Sequence, residues 1–188
     1  IAQSAAQLFK KVSLELGGKN PTVVFADAAL AHTVRETLRA AFANQGQLCL
    51  CGSRIFVEEP LYTAFSNRFV EAAQKLNVGD PLEAGTEQGA LVSAVHRDKV
   101  RSYIRLAAEE GGTIRCGGDT PPTVNERCRG GFFVQPTVVT DLGSDCRVNQ
   151  EEIFGPVVSL IPFRTEDEVT GLANSTPYGL SASVWTQD

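Results

Sequence analysis

The amino-acid sequence predicts an α/β domain with three layers, in which a mainly parallel sheet carries helices on both faces. Short runs rich in β-branched residues alternate along the chain with longer segments of helical periodicity. This alternation favours parallel strands, because helical crossovers join parallel neighbours and cover both faces of such a sheet. With 188 residues, 43% of them hydrophobic, the chain is large enough for one core. No linker divides it into two domains.

The first half of the chain contains three predicted strands and two predicted helices. Residues 12–15 and 22–25 resemble strands separated by a double-glycine turn. A helix follows, with Asp27 as its candidate N-cap. Residues 54–57 form the next predicted strand, and Pro60 suits the first turn of the second helix. The apolar stripes consist of Val34, Leu38, Ala41 and Phe42 in the first helix and of Leu61, Phe65, Phe69, Ala73 and Leu76 in the second.

The second half repeats the alternation of helices and strands. Ser93 is the candidate N-cap of a helix that ends before a Gly-Gly pair at 111–112. Residues 117–131, rich in Gly, Pro and polar residues, predict an exposed excursion. Thr165 begins a capping-box pattern that opens a short helix. The predicted strands of this half are residues 113–116, 138–139, 157–161 and 180–185.

The composition excludes several classes of function. Lys and Arg total 17 and Asp and Glu total 22, so the net charge is −5 and neither nucleic acid nor an anionic membrane is an expected partner. Five cysteines, an odd number, do not form a disulfide framework and indicate a reducing, cytoplasmic compartment. Because the chain starts at Ile1 and contains no Met, we expect it to be a piece of a longer protein.

The first candidate site is the segment 44–52 (NQGQLCLCG), a polar loop that follows a helix and presents Cys49 between two leucines. An accessible thiolate stabilised by backbone N–H groups is a nucleophile. From the residues alone, packing is the favoured interpretation of Cys49 and Cys51, since free cysteine is commonly buried. No metal site is expected, because Cys-x-Cys is shorter than the usual zinc spacing. His32 and His96, each near a helix start, are interpreted as solvated surface residues.

Two acidic segments are further candidates. Glu15 stands at the end of a predicted strand before a double-glycine turn, where a carboxylate can face a cleft and act as a general base once partly desolvated. The simpler interpretation is an ordinary surface glutamate. Residues 151–157 (EEIFGPV) place two acids before an aromatic residue and a Gly-Pro turn. These acids suit either ribose hydroxyls or a turn cap, and their spacing does not decide between the two.

Together the three segments resemble the signatures of the aldehyde dehydrogenase superfamily. Residues 14–19 (LELGGK) are similar to its glutamate signature, residues 44–49 (NQGQLC) to its cysteine signature and residues 151–157 to its cofactor motif. Glu15 and Cys49 lie 34 positions apart, as in the family. Shorter matches follow in the family's order, so that the resemblance covers essentially the whole chain: Asn20-Pro21, Gly79-Asp80-Pro81, Pro136-Thr137-Val138 and Tyr178-Gly179-Leu180.

The resemblance implies oxidation of an aldehyde to a carboxylic acid with NAD or NADP. By that likeness Cys49 is the nucleophile that forms a thiohemiacetal and then a thioester, and its backbone N–H helps to hold the oxyanion. Glu15 corresponds to the base that activates the thiol or the hydrolytic water. Glu152 corresponds to the residue that binds the nicotinamide ribose and Phe154 to the aromatic residue near the ring. The backbone of Leu16 corresponds to a position beside the nicotinamide.

The resemblance also implies a substrate pocket and an organisation for the parent protein. Leu48 and Leu50 flank the nucleophile and suggest an apolar wall. The residues that follow Cys49 are most similar to the muconic-semialdehyde branch of the family. Residues 1–188 then correspond to most of the catalytic domain, incomplete at both ends and without the nucleotide-binding domain. We expect the chain alone to be inactive and the parent to be a homo-oligomer, either a dimer or a tetramer.

Two alternatives to a hydrolytic dehydrogenase remain open. A related enzyme passes the thioester to coenzyme A, but such relatives generally lack the glutamate that Glu15 matches. A non-catalytic member of the family would serve as a structural or binding protein, and the presence of both Glu15 and Cys49 argues against it.

Overall fold

The computed structural model describes residues 1–188 and contains one six-stranded sheet with the strand order β3-β4-β5-β2-β1-β6. Every neighbouring pair is parallel except β3 and β4, which are antiparallel. The predicted mainly parallel sheet is therefore confirmed. The strands are β1 (Asn20–Val24), β2 (Gly52–Glu58), β3 (Thr113–Cys116), β4 (Thr137–Thr140), β5 (Val157–Phe163) and β6 (Ser183–Trp185).

The chain contains six α-helices, five of which lie between strands, and two of the predicted caps are present. Ser93 Oγ accepts the backbone N–H of His96 at 3.2 Å, and Thr165 Oγ1 accepts that of Glu168 at 3.2 Å. Neither these helices nor the others combine the length and the hydrophobicity that crossing a bilayer requires. The helices are α1 (Ala2–Ala6), α2 (Leu30–Phe42), α3 (Glu59–Gln74), α4 (Ala94–Glu109), α5 (Arg147–Gln150) and α6 (Glu166–Ala173).

The sheet is covered on both faces, as predicted. On one face α2 and α3 pack against β1, β2, β4 and β5, and Phe65 and Phe69 lie at the centre with their rings 5.7 Å apart. On the other face α4 and α5 pack with Val139 and Val157, and α6 packs with Phe56 and the end of β5. Successive residues of a strand point to opposite faces, so each central strand supplies both cores.

Two local predictions are wrong. Residues 12–15 form no strand; they pair with no neighbour and are exposed, so their alternating pattern has no sheet edge to join. Asp27 does not cap α2, whose N-cap residue is Ala29. The Asp27 carboxylate instead accepts the backbone N–H of Gln187 at 2.7 Å, which ties the start of α2 to the chain after β6.

The order of the strands brings the three sequence motifs together. The segment with Glu15 precedes β1, the segment with Cys49 precedes β2, and residues 151–156 precede β5. Because β5, β2 and β1 are adjacent and parallel, their amino ends meet at one edge of the sheet. The candidate site thus lies at the amino ends of the strands, whereas the sequence analysis placed Glu15 at the end of one.

Replacing Phe65 by alanine tests the core beneath the site. The ring is 0% exposed, so Phe65→Ala should lower the free energy of unfolding by about 3–5 kcal/mol. The matched control is Phe9→Ala, because the Phe9 side chain is 97% exposed, and its effect should stay within about 0.5 kcal/mol. Urea denaturation followed by circular dichroism measures both, and equal effects would contradict the described packing.

Candidate active site

An open cleft of about 380 Å³ lies at this edge of the sheet. Five of the seven predicted site residues line it, and Glu15 and Cys49 are among them. The structure therefore brings a thiol and a carboxyl group to one cavity although they are 34 positions apart in sequence. The lining consists of Glu15, Leu16, Gly17, Cys49, His96, Lys99, Glu152 and Phe154.

The two predicted pocket leucines lie differently. Leu48 lines a narrow crevice of about 20 Å³ beside Cys49, together with Cys51 and Phe154. Leu50 lines neither this crevice nor the cleft, and its side chain is 64% exposed. Only Leu48 thus forms part of a wall next to the thiol within the chain.

A strained turn delivers Cys49 to the cleft. After α2, three consecutive residues adopt left-handed backbone angles: Asn44, Gln45 and Gly46, with φ values of 48°, 57° and 69°. Such angles are unfavourable for residues with a side chain, and they accumulate where a fold over-determines them. At Gly46 a Cβ atom would collide with the carbonyl of Gly155, so only glycine lets the loop pack on the 151–157 segment.

The thiol sits in a tight turn that is tied to β1. The Cys51 N–H donates to the Leu48 carbonyl at 3.1 Å, which closes the turn. The Asn20 side-chain amide donates to the carbonyls of Cys49 at 2.6 Å and of Cys51 at 3.1 Å. The backbone N–H of Cys49 donates to no acceptor within the chain. It is available to an oxygen atom that arrives beside the sulfur.

Glu152 links two of the motifs. Its Oε1 accepts the Gly18 N–H at 2.9 Å, while Oε2 takes part in no hydrogen bond and remains open to a hydroxyl group. Its neighbour Glu151 is engaged elsewhere, because Arg147 donates to it at 2.8 Å and the Tyr103 hydroxyl donates as well. These hydrogen bonds, that of Arg147 above all, lower the pKa of Glu151 to about 2. Of the two adjacent acids, only Glu152 therefore serves the cleft.

Helix α4 holds the backbone of the 151–157 segment. The Lys99 ammonium donates to the Glu152 carbonyl at 2.9 Å, and the His96 Nε2 lies 2.6 Å from the Phe154 carbonyl. Phe154 has a φ of 59°, so these contacts secure a strained conformation. Glu152 and Phe154 thereby present their side chains to the cleft.

Behind the cleft two cations are buried side by side. Lys19 is 2% exposed, and burial, reinforced by the positive charge of Arg54, lowers the pKa of its ammonium to about 7. Burial also lowers the pKa of Arg54 to about 10. Arg54 donates to three backbone carbonyls, those of Lys19 at 3.0 Å, Leu172 at 2.9 Å and Ala173 at 2.8 Å. It thus joins the motif before β1 to the end of α6.

Some residues of the site were missed by the sequence analysis. His96 was interpreted as a solvated surface residue, yet it lines the cleft with Lys99. The Ser93 cap predicts where α4 begins, but no local pattern says which segment its first turn meets. Asn20 was noted only as part of a short family match. The expected desolvation of Glu15 is absent as well, because its side chain is exposed.

The buried lysine predicts an unusual dependence of stability on pH. Because the folded-state pKa of Lys19 is lowered to about 7, the unfolded state binds more protons between pH 7 and 10, and stability rises with pH there. Lys19→Met removes this term. Relative to that variant, the wild type should gain about 2 kcal/mol from pH 7 to 9. Urea denaturation measures the gain. The difference in stability between the wild type and Lys10→Met, a change at an exposed lysine, should not vary with pH, because that variant keeps Lys19. A flat difference for Lys19→Met would show that Lys19 is not desolvated.

Comparison with known proteins identifies the family. The aldehyde dehydrogenase family pattern matches residues 1–188. The chain is 49% identical over its full length to the 2-aminomuconic semialdehyde dehydrogenase of Mus musculus, of which it covers 39%. It is 46% identical over 95% of its length to the 5-carboxymethyl-2-hydroxymuconate semialdehyde dehydrogenase of Escherichia coli and covers 38% of that protein. It therefore spans about two fifths of the length of these relatives.

Solved structures agree with this result. The betaine aldehyde dehydrogenase of Staphylococcus aureus, solved in complex with NAD+, superposes with a TM-score of 0.90 at 37% identity. The match covers 100% of this chain and 37% of that one. An aldehyde dehydrogenase of Bacillus cereus gives a TM-score of 0.89 at 38% identity, with the same two coverages. The resemblance and the fold class read from the sequence are thereby confirmed, and the chain belongs to the aldehyde dehydrogenase family.

Proposed function

We propose that residues 1–188 are the nucleophile-bearing catalytic domain of an NAD(P)-dependent aldehyde dehydrogenase that converts an aldehyde to a carboxylic acid. The observation that carries the proposal is the single cleft lined by Cys49, Glu15, Glu152 and Phe154. Since the chain spans about two fifths of its relatives, the residues that bind the remainder of the dinucleotide are assigned to sequence outside 1–188. The isolated chain is accordingly proposed to lack turnover.

In the first step the thiolate form of Cys49, whose proton has passed to solvent water, attacks the aldehyde carbon. A carbon–sulfur bond forms, the carbonyl electron pair moves to oxygen, and the alkoxide of a thiohemiacetal results. The free N–H of Cys49 donates to this developing oxyanion, and one such donor is typically worth about 2.7–4 kcal/mol of barrier. The donor is fixed in the folded chain, so no reorganisation accompanies the reaction.

The residues present fit a nicotinamide cofactor. Glu152 Oε2 is free to accept a ribose hydroxyl, Phe154 offers an aromatic face to a ring, and the backbone at Leu16 lines the same cleft. A nicotinamide bound there would supply the hydride acceptor for the thiohemiacetal carbon, and Cys49 would then carry a thioester. Glu152 and Phe154 serve to orient the ring, and α4 maintains their positions through His96 and Lys99.

Glu15 completes the cycle as the general base. Its side chain is exposed to water and lines the same cleft as Cys49. It takes a proton from the water that attacks the thioester, the carbon–sulfur bond breaks, and the acid leaves while the thiolate is restored. A carboxylate with access to both solvent and the cleft can return that proton to bulk water.

The proposed substrates are muconic semialdehydes, the class of compound after which the relatives from mouse and Escherichia coli are named. Leu48 beside the thiol supplies an apolar contact within this chain, whereas Leu50 is exposed and lines neither the crevice nor the cleft. All five cysteines are free, which supports a reducing cytoplasmic location. We propose a homo-oligomeric parent, either a dimer or a tetramer.

Removing the sulfur tests the nucleophile. In the complete protein that contains this chain, Cys49→Ser should lower the rate of reduced cofactor formation from a muconic semialdehyde by about 10³-fold or more. Absorbance at the reduced nicotinamide band measures it. The control Cys146→Ser changes the N-cap of α5 to a preferred capping residue and should retain full activity. Activity in Cys49→Ser equal to that of the control would refute the assignment.

Removing the carboxylate separates acylation from hydrolysis. Glu15→Gln should still release about one equivalent of reduced cofactor rapidly, then turn over roughly 10²–10⁴-fold more slowly because the thioester persists. Rapid-mixing absorbance gives the burst, and mass spectrometry gives the acyl group on Cys49. If added coenzyme A restores full turnover of the wild type and Glu15→Gln alike and the product is acyl-CoA, the acylating alternative holds instead.

A further inference from the structure

We propose that Asn20 is a positioning residue for Cys49: its side-chain amide fixes the turn that presents the nucleophile. The inference rests on the proposed role of Cys49. Asn20 touches neither the cleft nor a reacting atom, so any effect it has on the chemistry passes through the backbone of the turn.

The side-chain NH₂ group of Asn20 uses both of its hydrogen-bond donors. It is the first residue of β1, is 4% exposed and stands opposite Gly52, the residue that follows the turn. Its Nδ2 donates to the Cys49 carbonyl at 2.6 Å and to the Cys51 carbonyl at 3.1 Å. Both protons of the amide are therefore used on the two carbonyls that flank Leu50 in the turn.

The carbonyl oxygen of the same side chain supports the view that Asn20 is polar because of its two donors. Asn20 Oδ1 is buried and accepts no hydrogen bond. Burying an unsatisfied carbonyl oxygen is unfavourable, so a residue that only filled space would be apolar. The unpaired oxygen of Asn20 destabilises the fold, while the NH₂ group of the same side chain supplies two donors to the turn.

Asn20 also contacts the motif that carries Glu15. A Cβ atom on Gly18 would lie 2.7 Å from Asn20 Oδ1 and 3.2 Å from the Cys49 carbonyl. The backbone of Gly18 is therefore pressed against both groups, while its N–H donates to Glu152. Through Gly18 and Asn20, the positions of Cys49 and Glu152 depend on one another.

Losing the two donors has a directional consequence. Without Asn20, only the Cys51 N–H to Leu48 bond closes the turn, and two buried carbonyls lack a partner. Because Cys49 lines the cleft, we expect its released carbonyl to turn toward the water there, which brings the negative end of the carbonyl nearer to the sulfur. A negative dipole beside a thiolate disfavours it, so Cys49 should react only at higher pH.

The experiment measures alkylation of individual thiols. The complete protein that contains this chain is treated with iodoacetamide at pH values from 6 to 10, and the rate at each cysteine is measured by peptide mass spectrometry. Asn20→Asp keeps the shape and removes the donors when ionised, and Asn20→Ala provides the same comparison without a buried charge. For either variant the midpoint of the Cys49 pH–rate profile should rise by about one unit, which is an approximately tenfold slower reaction near neutral pH.

A matched control exists in the chain. Asn149 is 0% exposed, donates Nδ2 to the Gly143 carbonyl at 2.9 Å and also has an unpaired Oδ1, but it does not touch the turn. Asn149→Ala should lower the melting temperature as Asn20→Ala does and leave the Cys49 profile unchanged. Asn20→Ala changes no titratable group, so a shift in that variant reports the turn, whereas Asn20→Asp also adds a negative charge beside it. The titratable groups that share the cleft with Cys49 are Glu15, His96, Lys99 and Glu152.

The outcomes separate this inference from the proposed function. If both Asn20 variants lose stability but keep the wild-type Cys49 profile, Asn20 is only structural and the inference is overturned. If Cys49 of the wild type reacts no faster than Cys146 near neutral pH, the nucleophile assignment fails first. A rapid wild-type reaction at Cys49 together with a shifted profile in the Asn20 variants supports both.

Discussion

The site depends on the parallel alignment of three neighbouring strands. β5, β2 and β1 lie side by side and point the same way, so the segments that enter them emerge at one edge of the sheet. Each of these segments carries one motif, and their common edge brings Glu15, Cys49 and Glu152 into a single cleft. The register is held by cores on both faces, because a one-residue slip would move every side chain of a strand from its own core to the opposite one. Chemistry at the edge is thereby supported by packing beneath it.

Unfavourable local features gather around the same edge. Asn44, Gln45 and Phe154 have positive φ angles, and Lys19 and Arg54 are cations removed from water. Each of these features opposes folding, and each is secured by contacts from elsewhere: the carbonyl of Phe154 lies against His96, and Arg54 is saturated by three carbonyls. Unfavourable backbone angles and buried charges occur where the three motifs meet, whereas the helices that form the core follow the usual preferences of sequence for structure. This distribution is expected when a stable scaffold supports a functional site.

The sequence predicts the parts of the fold whose signals are local. The apolar stripe of α3, the Ser93 cap and the β-branched run of β2 each report on a few neighbouring residues, and each is found in the structure. Residues 12–15 have an equally good strand pattern but pair with no neighbouring strand. The sequence of a single strand does not determine whether a partner strand lies beside it. The same holds for His96 and Asn20, whose importance comes from segments 58 and 29 positions away. Family likeness singled out Cys49 and Glu15, yet the groups that hold the turn become visible only with long-range contacts.

The proposed nucleophile and the proposed base are held in opposite ways, and this difference suits the tasks proposed for them. Cys49 lies in a hydrogen-bonded turn, follows a loop with left-handed backbone angles and is held by the Asn20 amide, which donates to two carbonyls of the turn. Its sulfur and N–H therefore keep one arrangement. Residues 11–17 are exposed and take part in no backbone–backbone hydrogen bond, so the segment with Glu15 is held by few contacts. A rigid donor stabilises an oxyanion best, because it must point at the oxygen before the charge develops. Moving a proton between the cleft and solvent requires a mobile group, and a carboxylate on a segment with few contacts is mobile. The two demands are met within one cleft because they are assigned to different strand entries of the same sheet.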